Sequence, residues 1–210
     1  FKQKTAYEFM PSLVGSEMCI RDRVEAVNTV VNRKGALVGY NTDGEGALRA
    51  LEERVGSVKG MRVLILGAGG AARAIAFTLV REGCQLAVAN RTPSRAEALA
   101  SIIQRKLGKE VRVLSLAKSE LRRALQSSDL LINATSVGMY PKHEHSLVSA
   151  DLLRKDLVVM DIVYKPLETK LLKEAEKRGC VTVDGLGMLV HQAALAFQIW
   201  TKREPPVKIM

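Results

Sequence analysis

The sequence predicts an α/β protein, a doubly wound parallel sheet accompanied by a remnant of a second α/β domain. Two observations carry this reading. Residues Arg62-Val63-Leu64-Ile65-Leu66-Gly67-Ala68-Gly69-Gly70-Ala71-Ala72-Arg73 form an unbroken apolar strand that runs straight into a glycine-rich turn and opens a helix. From that strand onward, short apolar runs alternate with helical patterns. Parallel neighbours need crossovers, and helices must cover both faces of such a sheet.

The elements follow in order. Strand 63–66 leads into a helix over 71–82, and strand 86–90 into a helix over 94–106. Further strands are expected at 111–114, 130–133, 157–161 and 181–183, with helices near Leu121 and Leu171. Pro166 and Gly179 bracket the helix between the last two strands as initiator and terminator. Two regions fall outside the sheet. Residues 24–39 hold two short β-rich runs ending in Gly39-Tyr40-Asn41-Thr42-Asp43-Gly44, where Asp43 is placed to cap the helix that follows through Leu51. Residues 186–200 form a helix apolar almost all round, which implies burial between two bodies. The expected division is therefore 1–23, a non-native segment; 24–57, the remnant and a linking helix; 58–185, the doubly wound domain; and 186–210, a helix packing back on the remnant.

Of the 210 residues 47% are hydrophobic, enough for one substantial core and part of another. No apolar run approaches the length that spans a bilayer. Cys19, Cys84 and Cys180 are odd in number, scattered and without metal spacing, as suits small core residues of a reducing compartment, so a cytoplasmic location is expected. The net charge of +10 is spread through helices with only 4% aromatic residues. That pattern fits anionic small molecules better than nucleic acid. His143 and His145 form a His-x-His pair with no further ligands at metal spacing, so a solvated loop after Pro141 is expected there and no metal site.

The glycine turn carries chemistry. Gly67 lets the strand turn sharply, Gly69 lets a pyrophosphate approach the backbone, and Ala72 lets the helix pack tightly on the strand. Phosphate then rests on the N–H groups and positive dipole end of the helix beginning near Gly70. An NAD site places an acidic residue about 20 positions after the glycines to accept from the ribose 2′-hydroxyl. Here stands Asn90, followed by Arg91, Thr92 and Arg95. Two guanidiniums with no carboxylate between them suit a 2′-phosphate, which favours NADP. Arg91 and Arg95 also read as ordinary solvated charges, although cations at a helix start oppose its dipole. Taken alone, Asn28 and Asp43 read equally as turn and cap residues. Tyr164 follows the C-terminal end of a strand, where ligands bind in open α/β sheets.

Spaced motifs extend this picture from residue 24 to about 202. They are Ala26-Val27-Asn28-Thr29, the Asn41-Thr42-Asp43-Gly44 turn, the Gly67–Ala71 turn, Asn90-Arg91-Thr92 with Arg95, Ile132-Asn133-Ala134-Thr135-Ser136-Val137-Gly138-Met139, Asp161 with Tyr164 and Pro166, and Asp184-Gly185-Leu186-Gly187-Met188 leading to Gln192. In this order they resemble the shikimate dehydrogenase family. The resemblance implies NADP-dependent, reversible hydride transfer that reduces 3-dehydroshikimate to shikimate, in chorismate and aromatic amino acid biosynthesis. It places Asn28, Asp43, Tyr164 and Gln192 around the hydroxylated ring, with Asp43 partnering a lysine that exchanges a proton with the reacting oxygen. It sets the cofactor against Gly67, Ala68, Gly69, Gly70, Ala71, Asn90, Arg91, Thr92, Arg95, Thr135, Ile162 and Gly185.

That lysine, and the hydroxyls for the substrate carboxylate, belong upstream of Val24 in the family. Residues 1–23 instead resemble a translated sequencing-adapter read-through and are set aside. The chain as given is therefore expected to be inactive. Glu25 stands where the family commonly has a small residue. Three rivals are weighed beside this reading. A quinate/shikimate dehydrogenase differs in ring substitution and often in cofactor; a methylenetetrahydrofolate dehydrogenase is disfavoured by the Asn-Thr-Asp-Gly and Gly-Leu-Gly-Met motifs with Gln192; a non-catalytic dinucleotide-binding fragment or sensor remains. A dehydroquinase domain fused upstream is a further expectation.

Overall fold

Residues 26–210 are described by a computed structural model; segment 1–23, with Cys19, and Glu25 lie outside the described residues. The chain enters through an antiparallel hairpin, β1 (Thr29–Arg33) and β2 (Ala36–Tyr40). Lys34 and Gly35, both at positive φ, make its turn, as a two-residue hairpin loop demands. Helix α1 (Asp43–Val55) follows. Then come β3 (Arg62–Leu66), α2 (Gly70–Arg81), β4 (Gln85–Ala89), α3 (Pro93–Leu107), β5 (Val111–Leu114), α4 (Lys118–Ser127), β6 (Leu130–Asn133), β7 (Val158–Asp161), α5 (Lys170–Lys177), β8 (Val181–Val183) and α6 (Gly185–Thr201).

Strands β3 to β8 form one parallel sheet in the order β5-β4-β3-β6-β7-β8. The chain winds outward from β3 in one direction and from β6 in the other. The two windings part between β3 and β6, where a doubly wound sheet opens its ligand crevice beyond the strand C-termini.

Period-two alternation divides the core. Val63, Ile65, Val88 and Ile132 pack with Phe77 and Leu79 of α2 and Leu99 and Ile103 of α3. Leu64, Leu66, Leu131 and Val159 pack on the opposite face with Leu121 and Leu125 of α4 and Leu171 of α5. Both faces are thus apolar, which is why these strands read as continuous hydrophobic runs.

Two sequence expectations need correction. Asp43 is the first helical residue of α1, and Thr42 is the cap residue, without a capping bond from its side chain. The Asp43 carboxylate accepts from Asn28 instead of from its own helix. Helix α5 begins at Lys170, not at Pro166, because the Thr169 hydroxyl accepts from the N–H of Leu172 and sets the start. Gly179, at positive φ, does follow the end of that helix.

Helix α1 lies close to both α2 and α6. A Cβ on Gly44 would fall 2.5 Å from the Ala74 carbonyl oxygen, and one on Gly46 would fall 2.9 Å from the Gln192 nitrogen and 3.0 Å from the Met188 oxygen. Gly46→Ala is therefore expected to cost about 1–3 kcal/mol of stability by overpacking. The urea midpoint measures it, and an unshifted midpoint would contradict the packing. Helix α6 buries Met188, His191, Ala194 and Ala196, whereas Leu186 and Trp200 are exposed among the described residues. The Trp200 indole N–H donates to the Val30 carbonyl at 3.0 Å, tying the helix end to the hairpin.

Candidate active site

The first part of the site, the glycine turn, starts at the end of β3. Gly67 has φ +109°, and a Cβ there would lie 2.8 Å from the Ala134 oxygen and 3.0 Å from Cγ2 of Thr135. Only glycine brings this turn against the loop after β6. Ala68 is buried, while Gly69 and Gly70 are exposed. Among the described residues nothing lies within 4 Å of where a Gly69 Cβ would stand. Helix α2 has neither a capping side chain nor an acidic residue in its first turn. The early N–H groups, those of Gly70 and Ala71 among them, are therefore left to an anion by the protein's own side chains.

Beside this turn, the Asn90 amide donates to the Thr92 carbonyl at 2.8 Å and shapes the entry to α3. Arg91, Thr92 and Arg95 are exposed. The Thr92 hydroxyl makes no capping bond, and among the described residues neither arginine meets a carboxylate. Across the crevice stand Thr135, Ile162 and Gly185. A Gly185 Cβ would lie 2.4 Å from the Ile162 carbonyl oxygen, so α6 starts in contact with the loop after β7.

The second part of the site is a polar cluster at the N-terminus of α1. The Asn28 amide donates to Oγ1 of Thr42 at 2.9 Å and to Oδ1 of Asp43 at 2.8 Å. Its oxygen accepts from the Thr42 N–H and the Thr29 hydroxyl, both at 3.0 Å. The Thr42 hydroxyl reaches Oε1 of Gln192 at 3.3 Å, and the Gln192 amide donates to the Leu189 carbonyl at 3.1 Å. Burial raises the Asp43 carboxyl above its ordinary range, opposed by the Asn28 hydrogen bond. Among the described residues, one Asp43 oxygen and one Gln192 N–H are thus left without a partner, while both donors and both acceptor positions of Asn28 are already engaged.

The structure brings Asn28, Asp43 and Gln192 into one network. Tyr164, half exposed on the loop after β7, makes no hydrogen bond with them among the described residues. Thr42, buried at 3% exposure, is the member that sequence reasoning left without a role. Its signal was its place next to Asp43 in the Asn41-Thr42-Asp43-Gly44 motif. His191 is buried and pairs with Glu53 of α1 across 3.0 Å, as a packed helix residue does. His143 stacks on Tyr140, and no group of His, Cys, Asp or Glu among the described residues could hold a metal. Cys84 is buried, its thiol pushed up to about 11 by burial. No helix among the described residues is long and apolar enough to cross a membrane.

Comparisons with known proteins identify the family. The family described as shikimate / quinate 5-dehydrogenase matches residues 49–188, and the shikimate 5′-dehydrogenase C-terminal domain matches residues 185–210. Shikimate dehydrogenase (NADP+) of Methanopyrus kandleri is 51% identical over 190 residues, covering 89% of this chain and 66% of its own. A shikimate dehydrogenase crystallised with NADP+ superposes with TM-score 0.83 at 48% identity, covering 89% of this chain and 65% of its own. Shikimate 5-dehydrogenase of Listeria monocytogenes, crystallised with shikimate and NAD, gives TM-score 0.83 at 42% identity, covering 89% of this chain and 67% of its own. The chain thus spans slightly under two thirds of the length of the first relatives it matches. By its glycine turn, its polar cluster and these matches, it belongs to the shikimate / quinate 5-dehydrogenase family.

Proposed function

We propose that the protein reduces 3-dehydroshikimate to shikimate with NADPH, reversibly. The observation that carries this reading is the placement of the polar cluster. Helix α1 presents Asp43 beside Gln192 and packs by Gly44 against α2, whose N-terminus forms the glycine turn. A hydroxylated ring held by the cluster therefore faces a dinucleotide held by that turn.

Among the described residues the lining fits a dinucleotide: open space over Gly69, uncapped N–H groups at α2, and two guanidiniums beside Asn90 that meet no carboxylate. The pyrophosphate would lie on Gly67–Ala71, a 2′-phosphate on Arg91, Thr92 and Arg95, and the remainder along Thr135, Ile162 and Gly185. When bound, the cofactor supplies the hydride. The chain's residues bind and orient. Asn28 holds the Asp43 carboxylate by one oxygen and leaves the other to a substrate hydroxyl or an ammonium partner. Gln192 offers an N–H to a ring hydroxyl, and Tyr164 closes the ring's far side from the β7 loop. A buried polar cluster of this kind rejects ligands that leave it unpaired. Among the described residues no cation pairs with Asp43; the family resemblance assigns this carboxylate a lysine partner for proton transfer.

NADPH is favoured over NADH because Asn90 and Arg91, and not a carboxylate, stand about 20 positions after the glycines. Titration of both cofactors tests this, and equal affinities in the wild type would overturn it. Arg91→Ala combined with Arg95→Ala is expected to weaken NADPH by on the order of 1.5–3 kcal/mol, about tenfold or more, and to leave NADH unchanged. Shikimate oxidation is expected to be negligible with residues 24–210 alone and restored when the chain is extended to the length of its relatives. Substantial oxidation by 24–210 would refute the division of labour. The coding sequence upstream would also show whether a dehydroquinase domain is joined there.

A further inference from the structure

Two polar side chains end the central strands β6 and β7 in register, Asn133 opposite Asp161, and both are buried, at 3% and 0% exposure. A buried carboxylate is costly unless every oxygen is occupied. Here three donors occupy it. Oδ1 of Asp161 accepts from the Asn133 amide at 2.9 Å and from the Val163 N–H at 3.0 Å. Oδ2 accepts from the Thr169 hydroxyl at 2.7 Å, the group that also caps α5.

The Asn133 arm continues outward. Its amide also donates to the Val137 carbonyl at 3.1 Å, and its oxygen accepts from the hydroxyl and N–H of Thr135 at 2.7 and 3.2 Å. The Thr135 hydroxyl in turn accepts from the Val137 N–H at 3.1 Å. This closes the loop after β6 into the shape that meets Gly67. The Val163 arm fixes the loop after β7, whose Ile162 N–H donates to the Asn133 carbonyl at 3.1 Å and whose backbone abuts Gly185. Both walls of the crevice therefore hang from one carboxylate.

We propose that Asp161 is the positioning residue of the dinucleotide crevice, holding Thr135 on one wall through Asn133 and the Ile162–Tyr164 loop on the other through the Val163 N–H. It touches no ligand itself. Hydrophobic side chains at both strand ends would fill the same space and leave both loops untied. The third arm, to Thr169, serves the start of α5 and lies off this path. The inference rests on the dinucleotide-binding reading given above.

The experiment is NADPH titration of the chain without substrate, with thermal midpoints measured on the same samples. Asp161→Ala is expected to weaken NADPH about tenfold or more, as is Asn133→Ala, which cuts the relay while leaving the α5 cap in place. Thr169→Val, which loses the cap and one carboxylate bond, is expected to lower the midpoint yet hold NADPH affinity within about threefold. Asp161→Asn, which keeps an acceptor for Asn133 and Val163, should restore most of the affinity. Asp161→Ala and Asn133→Ala that bind NADPH like the wild type overturn the proposal, as does a loss in Thr169→Val equal to theirs. Should Asp161→Ala not fold, Asn133→Ala and Asp161→Asn decide alone. A wild-type chain that fails to bind NADPH sinks the dinucleotide reading and this inference with it, whereas binding unaffected by the variants sinks only this one.

Discussion

Asp43→Ala, made in a protein extended to the length of its relatives, is expected to lower kcat by ~10²–10⁴-fold, the span that general acid–base assistance supplies. The carboxylate sits half-buried at the first residue of α1, held through one oxygen by Asn28. Burial has raised its affinity for a proton, which suits a group that orients an ammonium and shares in proton exchange. Asp43→Asn keeps the shape and the Asn28 neighbour while removing the charge, so it should lose nearly as much turnover as the alanine variant. NADPH affinity should stay within about twofold in both, because the glycine turn and the arginines are untouched. An extended enzyme whose kcat is indifferent to Asp43 would remove the residue from the site.

The second large effect is on stability against pH. Burial raises the Asp161 carboxyl to about 6, against three hydrogen bonds that lower it. With its folded value above the unfolded one, the stability it lends is fully present below about pH 4 and is lost as the pH rises through about 6. Two units or so of difference correspond to on the order of 3 kcal/mol. Asp129 and Asp151 act with the opposite sign: Arg62 holds the first carboxyl down, and Ser149 and Lys118 hold the second down to about 2. The informative quantity is therefore the difference between wild type and Asp161→Asn. Measured by urea unfolding at intervals from pH 4 to 7, the wild type should lose ground steadily to the variant. A difference flat with pH would show that Asp161 does not titrate in this range.

Much of this architecture was legible in the residues. Apolar runs such as Val63–Leu66 and Leu130–Ile132 had to be buried on both faces, so a parallel sheet covered by helices followed from them. The glycine turn announced the crevice because Gly67, at positive φ and against the Ala134 carbonyl, has a geometric task no other residue performs as well. Boundaries set by side-chain hydrogen bonds were harder to read. Pro166 looked like a helix start on local grounds, yet Thr169 sets it, because its hydroxyl is held by a carboxylate eight residues back. Likewise Asp43 looked like a cap, and only the approach of Asn28 from the hairpin shows that its oxygen is engaged elsewhere. Thr42 and Asn133 stood inside recognised motifs without a role, since what they join, Gln192 or Asp161, is distant in sequence. Local pattern reports burial and turns; it does not report which buried polar groups find one another.

The two glycines of α1 give that helix the character of a spacer gauge. Because Gly44 sets its depth against α2 and Gly46 its depth against α6, the gap from the Asp43 carboxylate to the N-terminal end of α2 is fixed by contact between backbones. Side chains of the polar cluster can change and alter the hydrogen-bonding pattern it offers, but the reach from the Asp43 carboxylate to the glycine turn cannot drift with them. A swollen residue at either glycine would displace the Asp43 carboxylate from the glycine turn, so under the proposed function catalysis and folding should fail in step at these positions, whereas they part company at Asn28 or Gln192.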